Sequence, residues 1–293
     1  MTQQNIKIPL VLGAHMSIAG GLENALLAGQ KRRCQCIQMF VANQRQWQHP
    51  PLTDQQIKTF RQTRDKTSLS PVAAHASYLI NLAAADKTVY RKSITALSDE
   101  YDRCRRLQLE YLIIHPGAHM GQGPPKGIKK IVGALNHILN KYDRSHCKII
   151  LETTAGQGTC LGHTFAQIAK IISTSAHPRR LGVCLDTCHI FAAGYDFRTE
   201  SAYRNTMREF DQTIGLSKLE VIHINDTRTD LGSHVDRHEH IGKGFIGRDG
   251  FRHFLTDHRL RHIPFILETP KGLSPGGRDL DMLNLAALRR LIQ

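Results

Sequence analysis

Short apolar, β-branched runs recur along the chain at a steady interval. They are Leu10–Ala14, Cys36–Val41, Pro71–His75, Tyr111–His115, Lys148–Glu152, Leu181–Asp186, Leu219–Ile224 and Ile263–Glu268. Runs this short and continuous suit strands buried on both faces. Most are separated by segments with apolar residues at helical spacing, among them Asp54–Arg64, Thr88–Leu107, Ile128–Lys141, Phe165–Ser173, Ala202–Ile214 and Gly250–Leu255. Eight strand–helix units in 293 residues predict an α/β protein, a single (β/α)8 TIM barrel over residues 1–293. No composition shift or linker divides the chain. An open, doubly wound sheet is the alternative, but GAHMSIAGG after the first run lacks the glycine spacing such sheets usually carry.

The polar residues closing these runs matter most. Runs three to eight end at His75, His115, Glu152, Asp186, His223 and Glu268. A single histidine or aspartate at a strand end is more often a cap or a satisfied core group. Six in consecutive strands are not independent accidents, because in a barrel the C-terminal strand ends converge on one axis. His189 follows three residues after Asp186, in the loop expected beyond the sixth strand. Asp236 and His238 lie in GSHVDRHEHIGKG just after the seventh run. The set holds five imidazoles and four carboxylates. An unmet buried polar group costs about 1–3 kcal/mol, and bound cations remove that cost. Nitrogen and carboxylate without thiolate suit catalytic zinc, or manganese. Nine such residues exceed the need of one ion; with bridging carboxylates they suit two or three. Three divalent ions against four carboxylates leave an excess of two positive charges, which a hydroxide and a phosphodiester would neutralise.

The net charge of +14 favours a polyanionic partner. The basic clusters are short, and several fall on expected outer helices, where a solvated surface also accounts for them. Seven cysteines without a C-x-x-C pair argue against a disulfide framework and for a reducing, cytoplasmic setting. No apolar stretch has the length of a membrane span, and the first fifteen residues lack the pattern of a cleaved leader. A monomer is the default expectation. Cys184 and Cys188 flank Asp186 but read as small packing residues, because nitrogen and oxygen ligands suffice without them.

Several stretches resemble the endonuclease IV family of apurinic/apyrimidinic (AP) endonucleases, in the family's order. They are GAHMSIAGGLENA, NQRQW, HASYLINLA, HPGAH, LETTAGQG, GVCLDTCHIFAAGYD, HINDTRTDLGSHVDRHEHIGKGFIG and ILETP. The resemblance implies a single barrel with three zinc ions. His75, His115 and Glu152 would hold the first. Glu152 would bridge to the second, also held by Asp186, His223 and Glu268, and His189, Asp236 and His238 would hold the third. Manganese is an alternative at one position. The implied activity is hydrolysis of duplex DNA 5′ to an abasic site, leaving a 3′-hydroxyl and a 5′-deoxyribose phosphate, with removal of 3′-blocking groups. A metal-bound hydroxide would attack, oriented or deprotonated by the catalytic residues Glu152 and Glu268. Arg45 and Gln46 would enter the minor groove, Tyr78 and Leu79 would wedge into the base stack, and Arg237 would face a phosphate or the flipped sugar.

The sequence departs from the family pattern in places. Thr153 and Cys160 stand where asparagine is frequent, which puts supporting hydrogen bonds in question. Gln48 and His49 follow NQRQW where a basic residue is common. His234, Glu239 and His240 read as neighbours of the third site. From the residues alone, two other readings stay open. A sugar isomerase on the same scaffold would gather similar residues around two metals. A DNA-binding protein with structural zinc would use a closed, cysteine-rich site, unlike this set.

Overall fold

The computed structural model describes residues 10–293. The barrel strands are β1 (Leu12–Met16), β2 (Cys36–Met39), β3 (Val72–His75), β4 (Tyr111–Ile114), β5 (Lys148–Glu152), β6 (Leu181–Asp186), β7 (Leu219–His223) and β8 (Phe265–Leu267). Each pairs in parallel with its sequence neighbours, and β8 pairs with β1, so the cylinder closes as the apolar pattern predicts. The helices are α1 (Glu23–Lys31), α2 (Asp54–Thr67), α3 (Lys87–Leu107), α4 (Pro124–Lys141), α5 (Phe165–Thr174), α6 (Thr187–Ala192), α7 (Glu200–Thr213), α8 (Gly247–Thr256) and α9 (Leu280–Arg290). Side-chain caps set several starts: the Thr53 hydroxyl accepts from the Gln56 amide, Asp86 from Val89 and Thr199 from Ala202. The reading that the first fifteen residues lack a leader pattern falls largely on residues 1–9, which lie outside the described residues.

Some boundaries differ from expectation for identifiable reasons. β1 begins and ends two residues later than Leu10–Ala14. His15 does not break the run; it stays in the ladder opposite Gln38, and Met16 behind it is buried. β8 starts at Phe265 because Pro264 has no amide hydrogen to donate. It stops before Glu268, whose amide leaves the ladder for the side chain of Asn225. His189 sits on α6 rather than in a loop. All six residues of that helix are buried, so it has no polar face to betray a helical period.

The barrel interior is built in layers. Cys36, Ala73, Ile113, Ile150, Cys184, Val221 and Ile266 form a closed apolar cluster of their own, each fully buried. Gly13 supplies the eighth position; a Cβ there would lie 2.0 Å from the carbonyl oxygen of Cys36, so only glycine fits. The larger core, including Leu12, Ala14, Met39, Leu112, Leu151, Leu185 and Phe265, comes from the alternate strand positions and from the helices. Side chains two apart on a strand share a face. Two residues beyond the apolar layer, therefore, the same strands present His15, Gln38, His75, His115, Glu152, Asp186, His223 and Glu268.

Candidate metal centre at the barrel mouth

Glu152, fully buried at the end of β5, is the hub of that upper layer. Its Oε2 lies 3.0 Å from His75 Nε2 and 3.2 Å from His115 Nε2. Its Oε1 lies 3.0 Å from His223 Nδ1 and 3.3 Å from His189 Nδ1. Three groups of donor atoms each fall within 4.8 Å: His75, His115 and Glu152; Glu152, Asp186, His223 and Glu268; and His189, Asp236 and His238. The first two share Glu152. A further grouping joins Asp186 and His238 with Cys188, whose thiol burial pushes up to about 12 and so keeps it protonated.

The imidazoles share an orientation. His75 Nδ1 donates to the carbonyl of Ala76 at 2.7 Å, turning Nε2 toward Glu152. His189 Nδ1 donates to the carbonyl of Thr153 at 2.8 Å, and its Nε2 stands 3.2 Å from Asp236. His238 Nδ1 faces the carbonyl of Glu268 at 3.3 Å. A carbonyl only accepts, so in each ring a hydrogen sits on the outward nitrogen and the other nitrogen is turned toward the donor group. His238 Nε2 is buried without a hydrogen-bond partner, 3.4 Å from Asp236 Oδ1 and 3.7 Å from Asp186 Oδ2. Among the described residues no lysine or arginine pairs with Glu152, Asp186, Asp236 or Glu268. An orphaned nitrogen amid carboxylates without lysine or arginine partners fits divalent cations.

Charges within the layer are mutually dependent. Burial would raise Asp236, but the bond from His189 draws its carboxyl down to about 2. Burial would lower His189, but Asp186, Asp236 and Glu152 hold it well above the ordinary imidazole range. His75 is raised likewise against its burial by Glu152. In the metal-free chain His75 and His189 therefore tend to hold a second proton, on the inward nitrogens that cations would take.

Supporting side chains fix this arrangement. Asp186 Oδ1 accepts from the His189 amide at 2.9 Å, so the last residue of β6 caps the helix that carries His189. Asp186 Oδ2 accepts from Asn225 Nδ2 at 2.7 Å, and Asn225 Oδ1 accepts from the Glu268 amide at 2.7 Å. Thr153, a departure from the family pattern, accepts from the Asp186 amide through its hydroxyl at 3.0 Å. Asp226 accepts from the amides of Thr227, Gly242, Gly244 and Ile246 and folds the loop beyond His238. Gly244 is required there, since a Cβ would lie 2.1 Å from the carbonyl oxygen of Thr227. Sequence reasoning passes over His15, Gln38, Asn225 and Asp226. The signal for Gln38 is a lone amide in an apolar strand.

The proposed DNA contacts surround the mouth. Arg45 and Gln46 are exposed on the loop after β2, and Trp47 packs on the core below them. Tyr78 is 68% exposed, with its ring 5.7 Å from Phe40 and 5.9 Å from His75. Leu79 beside it is half-buried, and Arg237 is exposed. The Ser77 hydroxyl donates to the carbonyl of Gln44 at 2.8 Å, tying the two loops together. His234 bonds the carbonyl of Ala155 and His240 the side chain of Asn284, and neither falls within a donor group.

A parallel barrel with clustered imidazoles and carboxylates at its C-terminal mouth defines the class: residues 29–286 match the family of xylose isomerase-like TIM barrels. A probable endonuclease 4 of Geobacter sulfurreducens is 47% identical over 282 residues, covering 96% of this chain and 94% of the relative. One of Chloroflexus aurantiacus is 44% identical, covering 96% and 98%. The crystal structure of endonuclease IV from Thermus thermophilus superimposes with a TM-score of 0.84 at 33% identity, over 97% of this chain and 99% of that one. The chain belongs to the endonuclease IV family and is a phosphodiester hydrolase, an AP endonuclease. A D-psicose 3-epimerase from Clostridium cellulolyticum, at 14% identity and a TM-score of 0.68, shares the fold alone.

Proposed function

We propose that this chain, one catalytic domain over residues 1–293, hydrolyses duplex DNA 5′ to abasic sites and removes blocking groups from 3′ ends, with three zinc ions, manganese being an alternative at one position. The observation that carries the reading is the shared orientation of the imidazoles. His75, His189, His223 and His238 each turn one nitrogen to an oxygen outside the centre and the other into a carboxylate-lined group. His75, His115 and Glu152 would hold one ion, Glu152, Asp186, His223 and Glu268 the second, and His189, Asp236 and His238 the third. Ions there supply Lewis acidity toward a phosphodiester and the attacking water.

The chain's own groups divide the remaining work. Glu152, enclosed by four imidazoles, holds the donor groups together. Glu268, with its side chain 15% exposed, reaches the mouth, where it can accept the proton of the attacking water. Tyr78 and Leu79 would wedge into the stack, Arg45 and Gln46 would hold the minor groove, and Arg237 would face a phosphate or the sugar. An abasic nucleotide has no base to unpair, so extruding it is cheap, which favours the damaged site. The basic surface fits a duplex partner, and the enzyme acts in the cytoplasm as a monomer. No helix of the described residues is long and apolar enough to cross a membrane.

The test is nicking of a duplex with a single abasic site, paired with metal analysis. Prolonged strong chelation should abolish nicking, zinc should restore it, and the purified protein should carry close to three equivalents. A zinc-loaded chain that leaves this duplex intact while converting an aldose to a ketose overturns the reading.

A further inference from the structure

Gln38 projects from β2 into the same layer as the proposed ligands and is fully buried. All of its side-chain bonds go to that layer. Its Nε2 donates to Glu268 Oε1, and a carboxylate can only accept, so the amide cannot be flipped. Its Oε1 therefore faces His223 Nε2, at 2.7 Å, and must accept from it. The second hydrogen on Gln38 Nε2 points to His15 Nδ1 at 2.9 Å. One amide thus joins groups from β1, β7 and β8, on both sides of the seam where the barrel closes.

We propose that Gln38 is a positioning residue: it selects the His223 tautomer and sets the orientation of Glu268, thereby shaping the Glu152, Asp186, His223 and Glu268 group. His223 differs from its neighbours in turning its Nδ1 inward, 3.0 Å from Glu152 and 3.2 Å from Glu268. That nitrogen has a lone pair only if the hydrogen sits on Nε2, and Gln38 Oε1 is the acceptor that keeps it there. No backbone carbonyl does this for His223, as Ala76, Thr153 and Glu268 do for His75, His189 and His238. Donation to Glu268 Oε1 meanwhile leaves Oε2 as the oxygen facing His223.

The inference rests on the metal-centre reading above, and its test separates the two. Gln38→Met keeps the length and removes both bonds. Gln38→Glu keeps an acceptor for His223 but places a carboxylate against Glu268. Three readouts apply: metal retention against a graded chelator, nitrogen shifts of histidine in 15N-labelled protein, and nicking of abasic duplex. Gln38→Met should weaken the hold on one ion about 10–100-fold while the others stay bound. It should also release the His223 tautomer, and lower kcat with KM for the duplex little changed. Gln38→Glu should retain the tautomer yet lose turnover. A Gln38→Met protein with wild-type metal retention, His223 signals and kcat overturns the inference, even if the wild type nicks DNA as proposed. If the wild type binds metal but does not nick, the tautomer and retention results still decide the role of Gln38. Should Gln38→Met fail to fold, Gln38→Glu alone decides: unchanged turnover and metal retention overturn the positioning of Glu268, and a lost tautomer overturns that of His223.

Discussion

Two layers of the barrel interior lie two residues apart on every strand and behave as opposites. The lower one, with Cys36, Ala73, Ile113, Ile150, Cys184, Val221 and Ile266, is a sealed apolar plug. The upper one, from His15 to Glu268, carries titratable or amide side chains on, or just beyond the end of, all eight strands. Backbone, register and curvature are shared, so side-chain chemistry alone makes one layer a core and the other a site. The plug also denies water access from below, which strengthens charge interactions above it.

Three substitutions or conditions sharpen the contrast, beginning with the largest effect. Glu152→Gln removes the charge shared by two donor groups. Nicking should fall by on the order of 10³-fold, with metal content reduced and the circular dichroism of the barrel retained. A variant that keeps full metal content and activity would show that Glu152 is only a structural hub. Ile150→Ala, two residues earlier, should do the reverse. It should cost about 2–5 kcal/mol of stability through the cavity left in the plug, read from chemical denaturation, while the folded fraction keeps its metal stoichiometry.

The third and mildest test is pH. In the metal-free chain His75 and His189 are raised above their ordinary value of 6.5. Their contribution to stability is therefore full below about pH 6.5 and lost as pH rises through their folded values. Metal binding must displace those protons, so the metal-loaded chain should gain stability over the same rise. Thermal midpoints measured with and without zinc should diverge as pH increases. Parallel curves would mean that the imidazoles are not the metal ligands.

Much of this is legible in the sequence, for a physical reason. Strands buried on both faces write an unbroken apolar run, so the polar residue that ends each run stands out. His75, His115, Glu152, Asp186, His223 and Glu268 are visible in this way. The same continuity hides Gln38 and His15. With both faces apolar there is no alternation to say which residues point inward, and a polar residue inside or just after a run reads as an irregularity. α6 is hidden because it is buried all round, and α1 because its buried stripe is only Ala25, Leu26 and Gly29. Asn225 and Asp226 act through contacts far along the chain, with Asp186, Glu268 and the Gly242–Ile246 turn, which no local pattern encodes.

The position of Glu268 has a consequence for biosynthesis. The donors appear along the chain in order, from His75 to Glu268, and the last one follows the strand that docks between β7 and β1. A nascent chain emerging from the ribosome therefore holds most of its proposed ligands before it has either a closed cylinder or a complete second donor group. With Glu268 as proposed, cutting power would arrive together with the final strand. On the proposed reading a prematurely terminated product would lack a complete second metal group, and the order of translation would act as a safety catch on a DNA-cleaving enzyme.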